Sequence, residues 1–511
     1  MRFALPRDPS GLDPATVRFG PDELQVARVI FDPLLTIDES SELRPGLATE
    51  VSPNSDLTEW TIILRQGVTF SDGSPVDAMA VKSSLDAARH SAALGPLLEP
   101  VDDIRAIDND TVVAILRTPW AAFPQMLAGQ PGFVSSPQMR LAADPARAPV
   151  GSGPFVLDRW EAGRELVLTK RVGYWQDGLP RLDRVTFVVS PDDAARFAAV
   201  RQGEVDVARL VDPAELARAS MDGGDGFEVL KDKSDDTPEL VIVLNTAAPP
   251  FNDRSARAAL AFSIDRDTLS REVFNGEYLR ADGPFSEGSR FYGEAHWPIL
   301  DVAHAADLVR DHERRNGRPV EFRLTIGPGP LAVELARRII EQTAVVGILA
   351  EIEVADSEEQ LSTRVARGDF QAAVLALFDG SHPDEDYALL HGGSGVPRQG
   401  VPSANLARFN DPSVDVALDA ARRTLDVTAQ AERYQQLQKV LAEQLPYVFL
   451  VHVQSALIVG NAVRGLADWR TPTGEPGIRQ WRSTVWLGSV WLEPSGGGEP
   501  GTSGTRLGSD S

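Results

Sequence analysis

The stretch LRPGLATEVSPNSDLTEWTIILRQGVTFSDGSPVDAMAVKSSL, residues 43–85, decides the reading of the fold. Within it WTIILRQGVTF (60–70) alternates apolar and polar side chains, the two-residue period of a strand with one buried face, and runs into the turn SDGS. PVDAMAVKSSLDAARH follows with small apolar residues every three or four positions and Pro75 in a first-turn position, which predicts a helix. DDIRAIDNDTVVAILR (102–117) reads as a hairpin with DND as its turn. In this corner Trp60, Leu64, Phe70 and the Asp-Gly turn are structural and have no ligand role.

Beyond this corner, RELVLTKR and LDRVTFVV are two further strands, separated by the aromatic loop VGYWQDG. From Pro250 the pattern becomes α/β. SARAALAFSIDRDTLSREVF reads as helical, VEFRLTIG as a strand, PLAVELARRIIEQTAVVG as a helix ended by Gly347, and ILAEIEV as the next strand. EEQLSTRVARG and FQAAVLALF repeat the unit, two amphipathic helices follow, and YVFLVHVQSALIV is a long apolar strand. Repeated βα units predict a partly parallel sheet covered by helices, with ligands favoured at the carboxyl ends of strands. FDGSHPDED (378–386) lies at such an end.

A chain of 511 residues exceeds what one hydrophobic core usually supports, so two or three lobes are expected. The formal charge of −24 argues against nucleic acid and anionic membranes as partners, because nothing would offset phosphate repulsion. It is spread along the chain, which makes it mainly a solubility feature. The absence of cysteine excludes disulfides, thiolate metal sites and thiol nucleophiles. No stretch has the apolar length of a membrane span, and MRFALPRDPSGLDP lacks the apolar core of a signal peptide. The Gly/Ser/Pro-rich end, 494–511, is expected to be disordered.

FDGSHPDED carries four acidic side chains and a histidine. His382, Asp384, Asp386 and the following His391 offer oxygen and imidazole ligands for a metal. The structural alternative, which we favour, is a turn whose carboxylates cap a helix starting near Asp386. Nothing indicates the unequal environments a catalytic carboxylate pair needs, and no GxSxG, HExxH, Walker or GxGxxG-plus-acid pattern is present. GSGPF (151–155) lacks the lysine of a phosphate loop and reads as a tight crossing. Most tryptophans belong to the core, with one or two left to line a pocket.

Several of these blocks together resemble the family 5 extracellular solute-binding proteins, the dipeptide, oligopeptide and nickel receptors of ABC importers. RFALPRDPSGLDP resembles the first strand and its turn, and VIFDPLLTID with the opening stretch matches the signature W-x-x-x-L-R-x-G-V-x-F-x-D-G-x-P-V. VGSGPFVLDRW, VGYWQDGLPRLDRVTF, VRQGEVDVA, LNTAAPPFNDRSARAALAFSIDRDTL and NLARFNDPSVDVALDAARRT follow in family order, so the resemblance covers roughly residues 2–465.

The resemblance implies an α/β fold of the periplasmic-binding-protein type: two lobes closing on a cleft about a hinge, with an extra subdomain on the first lobe. Lobe I would comprise 1–31, 150–248 and 456–493, the subdomain 32–149 and lobe II 249–455, with hinge crossings near 246–252 and 452–462. RFGPDE (18–23), LFDGSHPDED, the GVPSAN loop ending at Asn405 and VHVQ (451–454) align with pocket-lining stretches. Phe19, Gly20, Phe378, Asp379, Ser381, Asn405, His452 and Gln454 are the expected ligand contacts; His452 reads equally as a satisfied histidine on a buried strand. Where peptide receptors carry an aspartate for the peptide's ammonium this chain has Ser381, with Asp379 two residues earlier and Phe378 at the tryptophan position. In a strand Phe378 and Asp379 point to opposite faces, so only one should meet the ligand.

The implied function is a monomeric, extracytoplasmic receptor, periplasmic or a cell-surface lipoprotein. It captures a small polar solute, a peptide or amino-acid-like compound, and delivers it to the membrane subunits of an ABC importer. No catalytic residue, metal or cofactor is expected. Two alternatives share the fold: a nickel or metal-chelate receptor, which needs His382, His391 or His452 in the cleft, and a cytoplasmic ligand-sensing protein.

Overall fold

A computed structural model describes residues 1–224, 226–232, 237–380, 382–395 and 403–493. Ser381 and the expected disordered tail 494–511 lie outside the described residues. The opening stretch folds as its alternation predicts: strand Glu59–Leu64 buries Trp60, Ile62 and Leu64. It pairs antiparallel with Ala48–Pro53 and Thr111–Leu116, and Val101–Ala106 completes a four-stranded sheet. In the DND turn, Asp108 Oδ1 accepts from the N–H groups of Asp110 (2.9 Å) and Thr111 (2.7 Å). The helix runs over Ala78–His90, later than expected. Asp77 caps it by accepting from Ala80 N–H at 2.9 Å, whereas Pro75 sits outside, bridged to Thr69.

A seven-stranded sheet of mixed direction joins the N-terminal strand to the late strand Ala456–Gly460. Its order is Phe227–Lys231, Ala456–Gly460, Val207–Leu210, Arg2–Leu5, Arg184–Val189, Glu165–Lys170 and Phe155–Glu161. A second, five-stranded sheet is ordered Leu349–Val354, Glu321–Ile326, Ala372–Leu377, Glu239–Leu244 and Tyr447–His452. Glu321–Ile326 is parallel to both its neighbours, as the βα repeats predict. The segment 255–274, read as one helix, is two: Arg254–Ser263 and Arg266–Val273. Asp265 caps the second by accepting from Thr268 N–H at 3.0 Å, which breaks the run.

The chain leaves the first sheet after Lys231 and enters the second at Glu239, then returns between His452 and Ala456. The first crossing therefore precedes the expected 246–252. The apolar run ELVIVL belongs to the second sheet because it lies, buried but for the half-buried Leu240, between Ala372–Leu377 and Tyr447–His452 on either side. One buried core extends from Phe197 and Leu210 on the seven-stranded side to Phe251 and Leu324 on the five-stranded side. Next to the crossings Tyr278 Oη donates to the Val211 carbonyl at 2.9 Å, and Lys231 Nζ pairs with Glu277 at 2.7 Å. Below, the seven-stranded and five-stranded units are called lobes I and II, and the four-stranded unit the subdomain.

Candidate functional site

Strand Ala372–Leu377 ends at Phe378, whose backbone is left-handed (φ 59°). For a phenylalanine this conformation costs about 1–2 kcal/mol. Packing opposes that cost: the ring is 3% exposed and stands 5.2 Å from Tyr447 and 5.3 Å from Phe449, centroid to centroid. Phe378 is thus part of the lobe II core, and the expectation that it lines the cleft gives way to that placement. The reversal delivers the next side chain, Asp379, to the other lobe.

Arg482 Nη2 donates to Asp379 Oδ2 at 3.0 Å, and Arg18 Nη2 lies 3.7 Å from Asp379 Oδ1. Both arginines belong to lobe I, one following Trp481 and the other preceding Phe19. Arg482 Nη1 also stands 3.6 Å from Glu385. Burial alone would raise the Asp379 carboxyl, but the Arg482 and Arg18 guanidiniums outweigh it and hold it below the usual carboxylate range. Arg482 and Ser483 are both left-handed (φ 48° and 60°). The turn is fixed where the chain crosses between lobes: Ser483 Oγ donates to Asp232 at 2.9 Å and accepts from Ser455 Oγ at 2.7 Å. Both hinge passages therefore hold the turn that presents Arg482.

The loop acids do not cap a helix as expected. His382 does, its Nδ1 accepting from Asp384 N–H at 3.1 Å while Nε2 meets Gln430 Oε1 at 3.2 Å. Burial lowers the His382 pKa and favours the neutral ring these contacts require. Asp384, 3% exposed, accepts from Arg422 (2.8 and 3.1 Å) and from the Trp120 indole N–H (2.6 Å). Trp120 comes from the subdomain, so this buried triad docks the subdomain on lobe II. Asp386 makes no capping bond. Burial first, then the neighbouring Asp379 and Glu385 charges, push its carboxyl well up.

Of the other expected contacts, Phe19 is buried in lobe I against Phe133 (6.5 Å), its N–H donating to Gln130 Oε1 at 2.9 Å. Gly20 precedes helix Pro21–Ile30 with extended backbone. Asn405 is fully buried and staples its own loop, donating to the Phe409 carbonyl (2.6 Å) and accepting from Phe409 N–H (3.2 Å). An amide that closes a local turn in this way is supporting structure rather than cleft lining. His452 Nδ1 lies 3.1 Å from Glu239 Oε1 across two paired strands, and Gln454 is half-buried in the return crossing.

A cavity of about 780 Å³ lies where the three units meet. Glu42 of the subdomain, Lys231 and Trp481 of lobe I, and Arg290, His382 and Gln430 of lobe II are among its walls. Arg290 also crosses to the subdomain, meeting Glu42 and the carbonyls of Ser40 and Ser41, each at 3.2 Å. Among the described residues no three His, Cys, Asp or Glu side chains converge as a metal site. His391 stacks on Tyr387 at 4.8 Å. Sequence reasoning missed Arg482, which lies in an irregular segment, and Arg290; Arg18 was inside RFGPDE but was not singled out.

The described chain has no helix long and apolar enough to cross a membrane. It matches the model of the bacterial extracellular solute-binding proteins, family 5 Middle, over residues 42–397. Protein XP55 of Streptomyces lividans is 30% identical over 469 residues, covering 88% of this chain and 83% of that one. The glutathione-binding protein GsiB of Salmonella paratyphi A is 29% identical over 442 residues, covering 83% of this chain and 84% of that one. Among solved structures, the binding protein AgaA of A. tumefaciens R10, in complex with agropinic acid, superposes with a TM-score of 0.81 at 25% identity, over 96% of this chain and 98% of that one. The chain belongs to the bacterial extracellular solute-binding proteins, family 5, and is a substrate-binding receptor of the ABC-importer type.

Proposed function

We propose that the chain captures a small, polar, amino-acid-derived solute in the cavity between its lobes, holds it by closure of one lobe on the other, and presents the closed form to importer membrane subunits. The carrying observation is that all three units contribute walls to one cavity, with charges of both signs facing it: Glu42 and Glu228 against Lys231, Arg290 and Arg479. A ligand that touches both lobes binds the closed state better and shifts the population toward it. Mixed charge suits a compound carrying both ammonium and carboxylate groups. The relative that binds glutathione and the neighbour that holds agropinic acid support this class.

In this reading Asp379 acts across the lobes as a closure contact through Arg482 and Arg18. The protein performs no chemistry on its solute and works as an extracytoplasmic monomer. Native mass spectrometry of protein purified from its own host, followed by calorimetry with dipeptides, glutathione and opines, tests the ligand class. A bound amino-acid derivative supports it; a metal chelate alone, or no heat from any of the panel, removes it.

A further inference from the structure

Beside the interlobe cavity is a smaller niche of about 50 Å³ between lobe I and the subdomain, sharing Ile37, Ile478 and Trp481 with it as common walls. That volume is several times the roughly 10–15 Å³ a single water needs, and it suits one terminal group rather than a whole solute. Its other walls include the rings of Phe31, Phe133, Trp175, Trp469 and Trp486, the last two 5.7 Å apart. Arg28 enters from the last turn of helix Pro21–Ile30, 8% exposed, with its guanidinium 5.3 Å from the Trp481 ring and 5.8 Å from Trp469.

Among the described residues Arg28 is a buried cation without an acid. Its guanidinium gives one hydrogen bond, from Nη1 to Thr484 Oγ1 at 2.9 Å, and among the described residues no carboxylate lies within 4.0 Å. Burial pushes its pKa down to about 10, which records a charge with little to answer it. A guanidinium carries five N–H donors. The Trp481 indole N–H in the same wall is buried and, among the described residues, without an acceptor. The one carboxylate of the niche, Asp32, is engaged elsewhere: it accepts from Tyr174 Oη (2.9 Å), Trp175 Nε1 (2.8 Å) and Ser152 Oγ (3.0 Å). The frame is rigid, since the Gln25 amide clasps the Val485 backbone through two bonds of 2.9 Å.

We propose that the niche is an anion subsite of the cleft, taking a carboxylate on a short apolar stem with Arg28 and the Trp481 indole N–H as its donors. The assignment rests on the cleft being the solute site and narrows the solute to compounds with a carboxylate at the end of an apolar arm. A buried, charge-assisted pair of donors of this kind discriminates sharply against the isosteric amide, because the amide brings no charge.

The test uses the full chain with indole-¹⁵N tryptophan, whose nine ring N–H signals are assigned by substitutions including Trp481→Phe. Sodium propionate is titrated against propionamide in sodium chloride of the same ionic strength. The Trp481 signal moves and saturates with propionate at about 10 mM, and stays still with propionamide. In Arg28→Met the propionate response weakens at least about tenfold, and in Arg28→Lys, which keeps the charge but not the fork, it falls between. No movement with propionate, equal movement with propionamide, or an undiminished response in both Arg28 variants overturns the subsite. Should Arg28→Met fail to fold, the propionate contrast and Arg28→Lys still decide. Propionate enters without lobe closure, so a solute bound by a protein that ignores propionate removes the niche and leaves the receptor reading intact.

Discussion

Asp379 of lobe II and Arg482 of lobe I meet at 3.0 Å, joining a strand end to a turn that both hinge passages anchor. The Asp379 side chain is 45% exposed and the pair has water access, so its worth is that of a surface contact. Asp379→Asn is expected to weaken solute affinity by about 1 kcal/mol or less, roughly fivefold, through a less favoured closed state. Calorimetry checks this. A loss of about 1.5–3 kcal/mol would instead mean that Asp379 meets a ligand ammonium directly.

The Asp384 triad is buried and has a different magnitude. Asp384→Ala leaves the Arg422 guanidinium unpaired in the interface and removes the acceptor of the Trp120 indole, so a destabilisation of about 3–5 kcal/mol is expected. Trp120→Phe should cost less in hydrogen bonding, about 1–3 kcal/mol. Urea denaturation measures both, and the double variant should be non-additive because the two side chains share one carboxylate.

Phe378→Ala separates core from cleft. Loss of a ring packed between Tyr447 and Phe449 should cost about 3–5 kcal/mol of stability. Below the melting transition the folded variant should keep its solute affinity within about threefold, a difference under 1 kcal/mol. A large affinity loss with little change in stability would place Phe378 in the cleft after all.

Two buried groups give opposite pH dependences. Burial and the Asp379 and Glu385 charges raise the Asp386 carboxyl, so the folded state keeps its proton to higher pH than the unfolded chain. Its contribution is full below about pH 4 and is lost as pH rises from there toward the raised value. Burial lowers His382, whose contribution is full above about pH 6.5 and is lost as pH falls from there toward the lowered value. Asp386→Asn should therefore be more stable than the parent at pH 7, with the difference shrinking toward pH 4. Denaturation curves across that range show it; a difference that grows on acidification would contradict a carboxyl raised by burial.

Periodic, half-buried segments were legible in the sequence. The alternation of WTIIL and the βα repeats after Pro250 gave the right elements because one buried face imposes a period. The helix start near Pro75 and the single helix over 255–274 were misjudged because aspartate caps, at Asp77 and Asp265, compete with the apolar pattern. In the strand-end loop the roles are exchanged among neighbours. Side-chain alternation could not foresee that Phe378 turns left-handed and drives its ring into the core, or that His382 rather than an acid would cap. Partners of Asp379 were hidden because Arg482 is 103 residues away in an aperiodic turn, and only the fold brings them together.

The central claim is that solute binds between the lobes and closes them. Small-angle X-ray scattering of the full chain, before and after addition of a solute established by native mass spectrometry, tests it most directly. The account predicts a fall in radius of gyration that tracks saturation and is smaller in Asp379→Asn at the same total solute. Tight binding with a superimposable scattering curve would contradict it.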